Sequence, residues 1–310
     1  MKARVLVTGV RGQIASYLAE QLLAEGHEVV GLTHGSGDAL PLGIQRARGS
    51  LEPAGIPALL DSNGPLTAVV HLASSTSMAE TWTRPMETFE LNGRVGVALA
   101  FAACERQLRL VHASSAEIFG RAATPVQNEA TPIDPISPYG VAKAAAHHAV
   151  TFGRRERGAP LSNVIYYLAE SPRRRPDFVM RKITRTVAQI VAGRANELTL
   201  GNTSAIRDFS HAKDMASAAK ILALGAKPGD YIACSGVGHS IDAIVESAFR
   251  IGGIDRNKYV RVDPALFRPN DIPSLVGDNS ALRALGWSPT VGFEALVREL
   301  YEYEAELARG

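Results

Sequence analysis

Five short runs, over Arg4–Thr8, Glu28–Thr33, Thr67–Ala73, Arg109–Ser114 and Ser162–Leu168, are rich in Val, Ile and Leu and lack a regular apolar/polar alternation. A strand with one wet face would alternate, so these predict strands buried on both faces. Ala- and Leu-rich stretches lie between them, over Gln13–Glu25, Pro85–Arg106 and Pro138–Arg157, and predict helices. Strands joined through helices form a parallel sheet, and right-handed crossovers place helices on both of its faces. The expected class is therefore α/β, a doubly wound parallel sheet. No internal repeat or low-complexity tract competes with this reading.

After about residue 170 the rhythm changes. Pro172, Arg173–Arg175 and Pro176 interrupt the pattern, and shorter elements follow, separated by turns at Gly201-Asn202, Pro228-Gly229 and Arg268–Asp271. We expect residues 1–168 to form the main domain, receiving segments near 205–240, and residues 169–310 to form a smaller lobe. The 310 residues suffice for both. Lys and Arg total 33 against 31 acidic residues, a balance that argues against a nucleic-acid partner. Cys104 and Cys234 cannot build a disulfide framework, and no CxxC or HExxH offers a metal site, so no metal is expected. No apolar run reaches the ~18 residues of a membrane span. The N-terminal residues read as a buried strand rather than a signal peptide, and the expected location is the cytoplasm.

The first strand runs into Gly9-Val10-Arg11-Gly12-Gln13-Ile14-Ala15, and Leu18, Leu22 and Leu23 mark one face of the helix that follows. A glycine turn between strand and helix suits a pyrophosphate, because the helix N-terminus offers N–H groups and a positive dipole. A tight turn without a ligand is the competing reading, since Ala15 stands where a third glycine is usual. The expectation is a Rossmann-type dinucleotide site. After the second strand, Gly31-Leu32-Thr33-His34 lacks the acid that binds the ribose hydroxyl of NAD. Arg11 can instead reach a 2′-phosphate, unless it is a solvated surface residue, and the expected cofactor is NADP.

Ser137-Pro138-Tyr139-Gly140-Val141-Ala142-Lys143 opens a helix with Tyr139 and Lys143 one turn apart. An ammonium near a phenol favours the phenolate, which makes tyrosine a usable acid/base. An exposed helix pair is the alternative on spacing alone. The preceding strand, however, ends in Ser114-Ser115-Ala116-Glu117, and ligands of open α/β sheets bind at strand C-termini. Ser115 and Glu117 can join Tyr139 there, although Glu117 alone also reads as a solvated loop carboxylate. His147-His148 points to no metal, because adjacent helical positions diverge.

These residues resemble an extended short-chain dehydrogenase/reductase, and within it the GDP-mannose 4,6-dehydratase family. The resemblance covers most of the chain. Beyond the glycine turn and the Ser/Glu/Tyr/Lys set, it rests on Glu170-Ser171-Pro172-Arg173-Arg174, Phe178-Val179 with Arg181–Arg185, Leu200-Gly201-Asn202, Arg207-Asp208 with His211–Asp214, and Arg268 to Trp287. It implies catalytic roles for Ser115, Glu117, Tyr139 and Lys143. It implies cofactor contacts at Gly9, Arg11, Gly12, Gln13, Ile14, Leu72 and Ala73, with Tyr139 and Lys143. It implies a GDP-sugar held by Thr76, Glu170, Lys182, Arg207, Arg268 and Asp271. Lys182, Arg207 and Arg268 would clamp the diphosphate, and Asp271 a ribose hydroxyl. Arg173–Arg175 would line a subunit interface or the cofactor phosphate. The implied reaction is an internal redox elimination. Tyr139 would take the C4 hydroxyl proton as hydride leaves C4 for NADP⁺, with Ser115 bonded to that oxygen. Glu117 would remove the C5 proton and assist loss of water from C6. Return of the hydride to C6 gives a 4-keto-6-deoxy sugar.

Several positions depart from the family pattern. Leu168-Ala169 replaces Asn-His, Ser75 and Ser77 replace Gln and His, His34 replaces an arginine and Ser50 an aspartate. The acid/base set survives while the pocket wall changes, so a longer GDP-sugar such as a heptose or octose is the expected substrate. A 4-epimerase or 4-keto-sugar reductase on the same scaffold is the nearest alternative, and a non-catalytic NADP-binding protein a remote one. The Ala- and Val-rich helices suit either a homodimer or homotetramer interface or packing on the sheet.

Overall fold

The computed structural model describes residues 2–33, 40–76, 78–267 and 272–309. Its strands in chain order are β1 (Arg4–Thr8), β2 (Glu28–Leu32), β3 (Ile44–Arg46), β4 (Ala68–His71), β5 (Arg109–Ser115), β6 (Val126–Gln127) and β7 (Leu161–Tyr166). They continue with β8 (Leu168–Glu170), β9 (Leu198–Leu200), β10 (Ile206–His211), β11 (Asp230–Ala233), β12 (Gly238–Ser240), β13 (Val260–Val262) and β14 (Ser274–Gly277). The longer helices are α1 (Gln13–Ala24), α2 (Val95–Glu105), α3 (Pro138–Arg157), α4 (Val179–Val191), α5 (Ala212–Ala223), α6 (Ile241–Gly252) and α7 (Phe293–Arg309).

Seven strands form a parallel sheet in the order β11-β7-β5-β4-β1-β2-β3. The doubly wound parallel sheet expected from the apolar runs is the one observed. Alternate residues of each strand feed two cores. Val5, Val7, Val70, Val111 and Val164 pack beneath α1 and α5 through Leu18, Leu22, Met215 and Leu222. Leu6, Val30, Val69 and Leu110 face the other way, onto Leu99 and Ala103 of α2 and Val150 of α3. The strand order reverses between β1 and β4, so their C-terminal ends diverge and leave a crevice.

Across the second face runs a polar row. Cα register places Thr8, His71, His112, Asn163 and Asp230 side by side on five neighbouring strands. Asn163 Nδ2 donates to Asp230 Oδ1 at 2.7 Å, and Arg154 of α3 pairs with the same carboxylate at 2.5 Å. Burial pushes the His71 imidazole down to about 3 and that of His112 well below its ordinary value.

Two expected elements divide. The run over Ser162–Leu168 becomes β7 in the large sheet and β8 in a second sheet, because the chain crosses between them at the buried Tyr167. The stretch over Pro85–Arg106 is helical but passes through a π-helical turn at Glu90–Arg94 before α2. The second sheet has the order β12-β10-β14-β6, with β8 beside β10, and β9 pairs with β13. Met180, Ile183, Phe209, Ile244, Phe249 and Leu300 form the core of this lobe between α4, α6 and α7. Among the described residues no helix is long and apolar enough to cross a membrane, and no group of three His, Cys, Asp or Glu is placed to hold a metal.

Helices α2 and α3 touch where Gly96 leaves room, since a Cβ there would lie 2.6 Å from the Ala146 Cβ. Gly96→Val should therefore lower the midpoint of urea unfolding, a loss of about 1–3 kcal/mol. An unchanged midpoint would mean that the two helices separate at no cost.

Candidate active site

The first turn of α1 has Gly12 at its N-cap and no side-chain cap, which leaves its N–H groups for an anion. Gly9 adopts φ 67°, and a Cβ on it would lie 2.8 Å from the Ala73 Cα. Only glycine lets the β1 turn approach the β4 loop this closely. The loop is held by Thr8, whose Oγ1 accepts the Leu72 and Ala73 amides, each at 3.2 Å. With those sites taken, the Thr8 hydroxyl proton goes to His71 Nδ1, 2.8 Å away. Gln13 binds the turn to the lobe: its Nε2 donates to the Ala169 carbonyl at 2.8 Å, and Ser171 Oγ donates to its Oε1 at 3.0 Å. Ile14 packs against the core beneath.

Beside the turn, Arg11, Ser16, Glu20, Leu40, Pro41 and Arg173 line a cleft of about 400 Å³. Arg173 reaches it from the lobe. Its guanidinium carbon lies 3.8 Å from the Tyr17 ring centroid, with Ser16 Oγ at 2.9 Å and Glu20 at 2.8 Å. These residues present two guanidinium groups next to an open helix N-terminus, which suits a phosphorylated dinucleotide.

Ser137 caps α3 by accepting the Gly140 amide at 3.0 Å, and Pro138 occupies the first turn. This start fixes where Tyr139 and Lys143 point. Gly140 is needed there, because a Cβ would meet the Glu117 carbonyl at 2.6 Å. The β5 end and the helix start are thereby pressed together, which brings Ser115, Glu117, Tyr139 and Lys143 into one cluster. The Ser115 and Ser74 hydroxyls, the Glu117 carboxylate and the Arg174 guanidinium all act on the Tyr139 phenol. Burial pushes the phenol above its ordinary value, and the two hydroxyls pull the other way. Lys143 is buried, with Nζ donating to the Ala113 carbonyl at 2.9 Å and lying 5.8 Å from the Tyr139 ring centroid. Burial holds its ammonium down to about 8.

Ser74, Asn92 and Arg174 join the surroundings of the phenol in addition to the expected residues. Ser74 sits in the β4 loop, and buried Asn92 holds that loop by accepting from Ser74 Oγ and the Ser75 amide, both at 3.0 Å, and donating to the Ser75 carbonyl at 2.8 Å. Asn92 belongs to the π-helical turn, a feature that often marks functional sites. Arg174 stood out only as part of its arginine run. A single Asn in an Ala-rich helical stretch was the available clue.

The other expected positions lie farther out. Thr76 is exposed beyond the loop. Glu170 is fully buried at the end of β8. Lys182 Nζ donates to the Thr199 carbonyl at 2.8 Å, and Arg207 Nη1 to its neighbour's carbonyl at Ile206, also at 2.8 Å. Arg268, Asp271, His34 and Ser77 lie outside the described residues. His147 is buried with Nδ1 3.0 Å from Ser114 Oγ, while His148 is exposed.

Because Lys143 has a lower pKa folded than unfolded, its burial destabilises the fold below about pH 8, and the penalty fades as pH rises towards 10.5. Lys143→Met should therefore raise the melting temperature at pH 7, a gain on the order of 2–3 kcal/mol that vanishes near pH 10.5. A lower melting temperature at pH 7 would count against this.

A sequence profile of the family described as GDP-mannose 4,6 dehydratase matches residues 52–300. The chain is 33% identical to GDP-mannose 4,6 dehydratase 2 of Arabidopsis thaliana, covering 98% of this chain and 87% of that one. It is 30% identical to the GDP-mannose 4,6-dehydratase of Vibrio cholerae, over 100% and 95% of the two chains. Among solved structures, the UDP-glucose 4-epimerase of Thermus thermophilus, complexed with NAD, superposes with a TM-score of 0.83 at 29% identity, over 97% and 98%. RMD from Pseudomonas aeruginosa, complexed with NADPH, shares the fold with a TM-score of 0.80 at 24% identity, over 99% and 100%. By profile and by full-length identity the chain belongs to the GDP-mannose 4,6-dehydratase family, among the sugar-nucleotide dehydratases and epimerases.

Proposed function

We propose that the chain is a GDP-sugar 4,6-dehydratase that works through NADP. The observation that carries this reading is the Glu117 carboxylate beside Tyr139, a base separate from the phenol. Gly9, Gly12, Gln13 and Ile14 would hold the dinucleotide at the uncapped α1 N-terminus, with Leu72 and Ala73 along its other side. Arg11 and Arg173 in the neighbouring cleft support a 2′-phosphate, and hence NADP. When bound, the nicotinamide accepts hydride and returns it.

The residues then divide the proton work. Tyr139 takes the C4 hydroxyl proton, with Ser115 hydrogen-bonded at the same oxygen. Lys143 favours the phenolate through its charge. Glu117 removes the C5 proton, made acidic by the C4 ketone, and delivers it to the C6 hydroxyl that leaves as water; as hydride returns to C6, a solvent-derived proton is added at C5. Two protons move at two carbons, so two groups are needed. Lys182, Arg207 and Arg268 would hold the diphosphate, Asp271 a ribose hydroxyl, and Thr76 the sugar side, whereas Glu170 is fully buried and would not reach the sugar.

Leu168 and Ala169 put apolar side chains where the family carries Asn-His, which supports a substrate longer than mannose. Exposed Phe101 and Phe152, packed edge-to-face at 6.1 Å on α2 and α3, support pairing with a second copy. A 4-epimerase is the second reading, favoured by the likeness to the Thermus thermophilus enzyme. An epimerase needs no base at C5.

Incubation with NADP⁺ and GDP-mannose, or a longer GDP-sugar, in D₂O should give a product lighter by one water and carrying one solvent deuterium at C5. Glu117→Gln should reduce this by about 10²–10⁴-fold. An isomer of unchanged formula, formed equally well by Glu117→Gln, would establish the epimerase. Faster turnover of GDP-mannose than of the longer sugar would refute the longer substrate.

A further inference from the structure

Glu170 closes β8 opposite His211 of β10. Its side chain is fully buried, and neither carboxylate oxygen has a hydrogen-bond partner. Such a group is costly, because burial removes the water that stabilises its charge. The two cations acting on it are Arg174 and Arg181. Arg181 is engaged elsewhere: Nε donates to Glu304 Oε1 at 2.6 Å, and Nη1 donates to the Arg174 carbonyl. Arg174 is less committed. Its guanidinium carbon lies 3.4 Å from the Phe178 ring centroid, and its Nε is buried without a hydrogen-bond partner. Its charge acts on Glu170 and on the Tyr139 phenol alike.

We propose that Glu170 is a positioning residue for Tyr139, its carboxyl deciding how much of the Arg174 charge the phenol feels. This rests on Tyr139 being the proton-transfer group of the dehydratase reading. With Glu170 protonated, Arg174 is uncompensated and favours the phenolate. With Glu170 ionised, Arg174 is drawn to the carboxylate and the phenol keeps its proton more tightly. Burial pushes the Glu170 carboxyl up to about 7, so the change of state falls near neutrality. The other groups facing this pair are the Arg181–Glu304 pair of α4 and α7, His211 of β10 with Glu299 at 3.2 Å, Asp177 and Arg175 beside Arg174, and Glu117 and Lys143 at the phenol.

Ultraviolet titration of the full chain without nucleotide, minus the corresponding Tyr139→Phe protein, isolates the phenol. Glu170→Gln keeps the carboxyl's shape and imitates its protonated state. It should lower the phenol midpoint by at least about half a pH unit, the scale expected when a nearby charge is removed. Arg174→Met should raise the midpoint. Glu170→Gln should add no shift in the Arg174→Met background, where the cation through which the carboxyl acts on the phenol is gone. Glu170→Asp retains a titratable group and should restore most of the wild-type midpoint, which a purely structural role would not predict. Identical titrations of wild type and Glu170→Gln would overturn the proposal, as would the same Glu170→Gln shift with and without Arg174. The readout uses no substrate, so it fails or holds independently of whether the product is a dehydrated sugar.

Discussion

Every central strand of the seven-stranded sheet carries apolar side chains on both faces, so helices must close over both and no face is left for chemistry. What remains open is the row of strand ends. Thr8, His71 and Ser115 sit at or next to those ends, and the turns after them carry Gly9, Ala73 and Glu117. The site inherits its position from this burial. The close approaches at Gly9 and Gly140 follow from it, since turns converging on one crevice have little room for side chains.

The site also concentrates groups that work against stability. Lys143 is buried with a backbone carbonyl as its hydrogen-bond acceptor, and Glu170 is buried with no hydrogen-bond partner on either oxygen. Each would be better solvated in water. The surrounding cores hold them in place: Leu99 and Val150 on one side of the sheet, Phe209 and Met180 in the lobe. Such strain is tolerable because the sheet is paired and covered around it.

Much of this was legible in the sequence. The unalternating apolar runs predicted the parallel sheet, and Ser137-Pro138 predicted a helix start that puts Tyr139 and Lys143 one turn apart. These signals are local, depending on residues within a few positions of each other. What escaped depends on distant partners. The split of one apolar run into β7 and β8 arises because β8 pairs with β10, which follows much later. Asn92 reaches the β4 loop only because a π-helical turn re-aims it, and no periodic pattern announces such a turn. Arg174 acts on Tyr139 from 35 positions further along the chain. Residues whose meaning lies in long-range contact look like ordinary polar residues in a one-dimensional reading.

The order of strands has a consequence for synthesis. β11 is the outermost strand beside β7, yet it is encoded after β8, β9 and β10 of the lobe. Helix α5, which covers Leu18 and Leu22 of α1, is also encoded late. A chain emerging from the ribosome therefore holds β7 as an unpaired edge, and α1 uncovered, for some seconds at ordinary elongation rates. The nascent large sheet is vulnerable to pairing with other chains throughout that interval. Completion of one half of this molecule waits on delivery of the other.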